Sequence, residues 1–117
     1  MEFAVADDEV WLSVFGIAPQ AEEASGEKWV REVRIPVSAT EELHVSWDVV
    51  ERSVRLRWKQ ASRTIVDVYR EQTTRLTVDD HNSEPLVLVE YHAGGCSGRT
   101  VVRTRPNLTL QDTFLRT

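Results

Sequence analysis

Residues 85–105 read PLVLVEYHAGGCSGRTVVRTR, two β-rich runs on either side of a glycine-containing loop. That order is the sequence form of a β-hairpin. Leu86, Val87, Leu88 and Val89 are apolar at consecutive positions. Such a run predicts a strand covered on both faces, near the centre of a sheet that packs against another layer.

Alternation extends outward from this hairpin. In Leu43–Val49, Leu43, Val45, Trp47 and Val49 share one side, and His44, Ser46 and Asp48 the other. Val54, Leu56 and Trp58 then face inward against Arg55, Arg57 and Lys59. A turn near Arg52–Ser53 predicts Trp47 opposite Trp58, Val49 opposite Leu56 and Asp48 opposite Arg57, pairs of the kind that stabilise sheets. Thr64–Arg70 and Thr74–Val78 predict a further hairpin, since β-branched Ile65, Val66 and Val68 disfavour a helix. The segment 79–83 (DDHNS) is rich in turn formers.

In the first third of the chain, Lys28–Val37 predicts an amphipathic strand with Trp29, Val33, Ile35 and Val37 inward. Its Pro36 places that strand at an edge or a bulge. Val10–Ile17 is apolar on both alternations and predicts a well-covered strand, preceded by a frayed acidic start over residues 1–9. Pro19–Glu27 is a polar connection. Leu108, Leu110 and Phe114 supply a last strand or a tail against the core. The expectation is an all-β single domain over residues 1–117, an antiparallel β-sandwich or flattened barrel of about eight strands.

Composition narrows the function classes. The 117 residues, 41% hydrophobic, suffice for one core without a metal or disulfide. A single cysteine, Cys96, and no apolar leader at the N-terminus point to a reducing, cytoplasmic setting. No run approaches the roughly 18 apolar residues of a membrane span, so no membrane is expected. The net charge is −5, with eleven acids against three bases in residues 1–50 and eight acids against eleven bases thereafter. Halves of a β-fold seldom occupy separate faces, so mutual cancellation is favoured over a dipolar molecule with an acidic face that attracts basic partners.

Few residues carry chemistry. Cys96 among glycines, with His92 four positions earlier, has the elements of a thiol nucleophile, but nothing except Glu90 could orient the imidazole. A hairpin loop explains the same residues, and no catalytic residue is assigned. Asp79, Asp80 and His81, with His92 or Cys96, offer metal-ligand types without metal-ligand spacing, so neither a metal nor another cofactor is expected. Gly94, Gly95 and Gly98 miss the dinucleotide-binding pattern. Arg55 and Arg57 line one strand face, and Arg103 and Arg105 another. Were these strands neighbours, a basic stripe would cross the sheet, yet a chain with pI 5.2 argues against nucleic acid.

The expected function is a non-enzymatic protein-interaction module, probed through Arg55, Arg57, Arg103 and Arg105. Toxin-neutralising immunity proteins, small adaptors and assembly factors of bacteria are of this kind, and homodimerisation stays open. The alternative is a barrel binding a small ligand in a cavity walled by Trp47 and Trp58.

Overall fold

A computed structural model describes residues 2–116; Met1 and Thr117 lie outside the described residues. Chain order gives β1 (Ala4–Val5), α1 (Asp8–Phe15), β2 (Gln20–Ala21), β3 (Val30–Pro36), β4 (Glu41–Asp48), β5 (Ser53–Gln60) and β6 (Arg63–Arg70). The remainder is β7 (Thr73–His81), β8 (Glu84–Ala93), β9 (Cys96–Arg103) and β10 (Thr109–Arg116). Sheet A has the order β1-β7-β8-β9-β10, and sheet B the order β2-β3-β4-β5-β6. The sheets remain open and share one core, an all-β sandwich whose eight long strands pair antiparallel with one another, while the short β1 runs parallel to β7. The flattened barrel is therefore not formed.

The hairpin that opened the reading lies where expected, with β8 third of five strands in sheet A. Its two faces differ, however. Val87 and Val89 are completely buried, whereas Leu86 and Leu88 are only half-buried on the outer side. On the inner side Gly98 lies opposite Tyr91 and beneath its ring, where a Cβ would collide with the aromatic carbons.

Three sequence expectations change. First, Asp8–Phe15 is a helix, and the residues before it are paired, because Ala4 and Val5 lie beside Arg75 and Leu76. The helical period decides this: Trp11, Val14 and Phe15 turn toward the core, while Val10 and Leu12 face out. Asp8 and Glu9 complement the helix N-terminus, and Gly16, at φ 75°, closes the other end by donating its N–H to the carbonyl of Leu12. Trp11 is fully buried, donates from Nε1 to the Ala6 carbonyl at 3.2 Å and stacks on Trp47 at 5.2 Å.

Second, the β4–β5 register pairs Trp47 with Val54, Val45 with Leu56 and Leu43 with Trp58; Asp48 meets Ser53, and His44 meets Arg57. The turn is set by Asp48, whose Oδ1 accepts the N–H groups of Val50 and Glu51 at 2.9 Å each. The register differs from the expected one by an even step, so each side chain keeps its face. Trp29 stands just outside β3 and is 42% exposed rather than in the core.

Third, β6 and β7 form no hairpin but belong to different sheets. Gln72 takes a left-handed conformation at φ 53°, and Thr73 anchors the crossing by donating its N–H and hydroxyl to the Arg52 carbonyl at 3.0 and 2.6 Å. Across the gap, Arg70 of β6 reaches Asp112 of β10 at 2.7 Å and lies over the Tyr91 ring. The Thr100 hydroxyl donates to the same carboxylate.

Truncating a buried tryptophan costs about 3–5 kcal/mol, so Trp11→Ala should lower the urea midpoint sharply. Exposed Trp29→Ala should stay within about 0.5 kcal/mol of wild type. Equal midpoints for the two variants would contradict the assignment of Trp11 to the core.

Candidate functional site

The outer face of sheet B gathers most of the charge that alternation sends outward. Register places Glu32 and Arg34 of β3 beside Ser46 and His44 of β4, then Arg55 and Arg57 of β5, then Tyr69 and Asp67 of β6. Asp67 holds Arg55 through two bonds, Nε–Oδ1 at 2.9 Å and Nη2–Oδ2 at 2.6 Å, with the Arg57 Nε at 3.8 Å. The Arg55 hydrogen bonds keep the Asp67 carboxyl below the usual carboxylate range. Both groups are more than a third exposed, so the pair contributes at most about 1 kcal/mol.

Beside this pair the face sinks into a groove of about 500 Å³. The connection after β2 brings Glu22 and Glu23 to one wall, with Arg34, Arg57 and Lys59 among the other lining residues. Glu32 and His44 also line it, although each side chain is only 5% exposed. Oε1 of Glu32 accepts from Nε of Arg34 at 3.1 Å, and Arg34 also donates to Glu42 at 3.3 Å. The Nε2 of His44 approaches Glu32 to 3.2 Å, yet neither ring nitrogen makes an aligned hydrogen bond within the described residues. Burial is the main cause holding the His44 pKa below its ordinary value of 6.5. Arg34, Lys59 and Arg57 push the same way, and Glu32 opposes them. The floor of the groove is thus a neutral imidazole beside a carboxylate that Arg34 neutralises.

Of the four arginines singled out in the sequence, Arg55 and Arg57 lie on this face. Arg103 lies on the outer face of sheet A, in a separate groove of about 450 Å³ with Arg75, Arg99 and Leu88. Arg105 follows β9 at the rim of a hollow that includes Asp80 and Pro36. β5 and β9 are not neighbours, and no stripe joins these arginines. The hairpin register pairs Cys96 with Ala93 and His92 with Ser97, so thiol and imidazole stand on opposite faces of the strand pair. Asp79 and His81 turn toward the sheet A groove and Asp80 away from it. Among the described residues no three His, Cys, Asp or Glu side chains converge on a point. The wall expected of Trp47 and Trp58 is also missing: Trp11 covers Trp47, and Trp58 donates to Glu41 at 2.9 Å.

Nothing in the sequence marks out His44 and Glu32. Alternation placed both outward, and outward positions are usually wet. The residues of the β2–β3 connection that wall them carry no pattern that foretells where they fold.

No known family model matches this chain, and no curated protein is significantly similar in sequence. Its fold is similar to that of a solved chain from a contact-dependent growth inhibition toxin–immunity protein complex of Klebsiella pneumoniae 342. The TM-score is 0.79 at 14% identity, over 98% of this chain and 100% of that one. At that identity the likeness is one of fold.

The depressed His44 pKa has a direct consequence for stability. Below 6.5 the unfolded chain takes up a proton that the folded imidazole still refuses, so stability falls as the pH drops through that window. Wild type should unfold at lower urea at about pH 5.5 than at about pH 7.5. His44→Gln should remove that part of the difference. An unchanged difference in the variant would show that His44 is not the group responsible.

Proposed function

We propose that this chain is an immunity protein that binds and neutralises a growth-inhibition toxin, acting as a non-enzymatic bacterial module in the cytoplasm. The observation that carries the reading is the likeness of fold over the whole of both chains to a member of a toxin–immunity complex. The outer face of sheet B suits such a role. Its ion pairs are already formed in the free protein, so little order has to be imposed when a partner docks. Positive and negative groups alternate across it, which fixes register and excludes partners with the wrong pattern. His44 and Glu32 lie beneath the rim with the imidazole nitrogens closed to solvent, so the charged rim is what a partner would meet.

Blocking a toxin needs no chemistry from its inhibitor, only an occupied surface held long enough. Arg55, Arg57 and Lys59 supply the basic side of that surface, while Glu22 and Glu23 supply the acidic side.

Genomic neighbours provide the test. A toxin domain encoded beside this chain should arrest growth when expressed alone, and co-expression of the chain should restore it. Arg57→Glu with Lys59→Glu should weaken the complex by at least about tenfold, because like charges set together at an interface cost more than the equivalent free energy. Arg103→Glu, on the other sheet, should bind as wild type does. The lack of such a neighbour, or arrest that co-expression leaves unchanged, would overturn the reading.

A further inference from the structure

We infer that the chain forms a twofold-symmetric dimer in which β10 of one copy pairs antiparallel with β10 of a second, joining two A sheets edge to edge. The evidence lies in how unequally the four sheet edges are guarded. A free strand edge presents unpaired N–H and C=O groups, and proteins blunt such edges by shortening them, charging them, or breaking them with proline or bulges. β1 and β2 are each two residues long. β6 carries Arg63 and Asp67 and is broken by a bulge at Ile65. β10 has eight residues in unbroken register with β9, no proline, no lysine and no bulge.

β10 carries two charges, and one of them, Arg116, stands at its very end. Asp112 is its one carboxylate, and it turns inward onto Arg70. Thr109, Gln111, Thr113 and Leu115, which share the outward side, are uncharged. Phe114 and Leu115 stand 55% and 66% exposed. Phe114 also lines a cleft of about 400 Å³ with Tyr69 and Tyr91, leaving apolar surface next to the open edge. A long, flat edge with apolar side chains is a template for another strand.

A second copy is the occupant that this strand itself specifies. Antiparallel partners share a face only when both positions are odd or both even. Two centres of symmetry then use nearly the whole strand, Asp112 or Thr113. The first would set two carboxylates face to face, which is destabilising. Centring on Thr113 opposes Asp112 to Phe114, Gln111 to Leu115 and Leu110 to Arg116, so no like charges meet. The pairing covers apolar side chains and fills both edges, and because it is isologous it closes after two copies. It is independent of the toxin-binding reading, since the outer face of sheet B takes no part in it.

Sedimentation velocity across about 1–200 µM should show a monomer giving way to a dimer, as a strand-only interface at the small end of the size range implies micromolar affinity. In a Cys96→Ser background, Thr113→Cys should cross-link to dimer on mild oxidation. Directly opposed residues in such a ladder stand about 4.5–5.5 Å apart at Cα, within disulfide reach. Gln111→Cys should not cross-link, because its own counterpart lies four residues along. Thr113→Lys should keep the wild-type urea midpoint and weaken dimerisation by at least about tenfold. A monomer at every concentration, or Gln111→Cys cross-linking as readily as Thr113→Cys, would overturn the proposal. Neither result would bear on protection from a toxin.

Discussion

Val33, Val45 and Leu56 from one sheet and Leu76, Val89 and Val102 from the other fill a single apolar layer in which each is at most 2% exposed. Every other feature is placed by the need to keep that layer dry. An open sandwich leaks where its edges part, and the chain seals those places by different means. At one, α1 lays Trp11 against Trp47 of sheet B while running alongside β7 of sheet A. At another, between β6 and β10, Arg70 spans the gap to Asp112 over the Tyr91 ring. A partly buried ion pair of this kind holds only because its charges meet each other and further hydrogen-bonding groups, here the Thr100 hydroxyl.

The same layer dictates where charge goes. With the inner positions taken by Val, Leu, Ile and Trp, the strands put nearly all their charged residues outward, the Arg70–Asp112 pair at the sandwich edge apart, and neighbouring strands then bring opposite signs together. Residues 20–70, the span of sheet B, hold nine acids and nine bases; residues 72–116 hold five of each. The whole surplus of −5 therefore resides in residues 1–19 and Glu71. The contrast between an acidic first half and a basic second half disappears, because the cut at residue 50 runs through the middle of sheet B. Long-range steering of a basic partner would arise from the N-terminal segment, whereas close fit would depend on the ordered pairs of the sheet faces.

Period-two patterning made the fold class and most strands legible, since β3, β4, β5, β8 and β9 each carry their apolar residues on one alternation, even where β3 and β4 also bury Glu32 and His44. It failed where two periods fit one run. In Val10–Ile17 nearly every position is apolar, so both alternations look covered, and the caps at Asp7 and Gly16 were the informative residues. It was also silent about connections. Nothing local distinguishes a two-residue link that closes a hairpin from one that crosses between sheets, as Glu71–Gln72 does with its anchor on the distant Arg52 carbonyl. Arg55 and Arg57 could be placed outward from sequence. The groove beside them could not, because it depends on Glu22 and Glu23 folding over β3 from a segment without periodicity. Arg103 was read correctly as a strand residue, but strand order put it on the far sheet.

His44 and Glu32 are the ionisable side chains that this face buries. A sheet face gains nothing from burying an imidazole whose nitrogens lack aligned partners, since such burial costs free energy. Removing the burden would be simple: threonine at position 44 would suit the strand and leave no buried ring. Keeping it means the folded protein carries a destabilised polar group at the floor of a groove ringed by Arg34, Arg57, Lys59, Glu22 and Glu23. Both ring nitrogens are closed to solvent, so that cost is borne within the fold, offset in part by the Glu32 carboxylate 3.2 Å from Nε2.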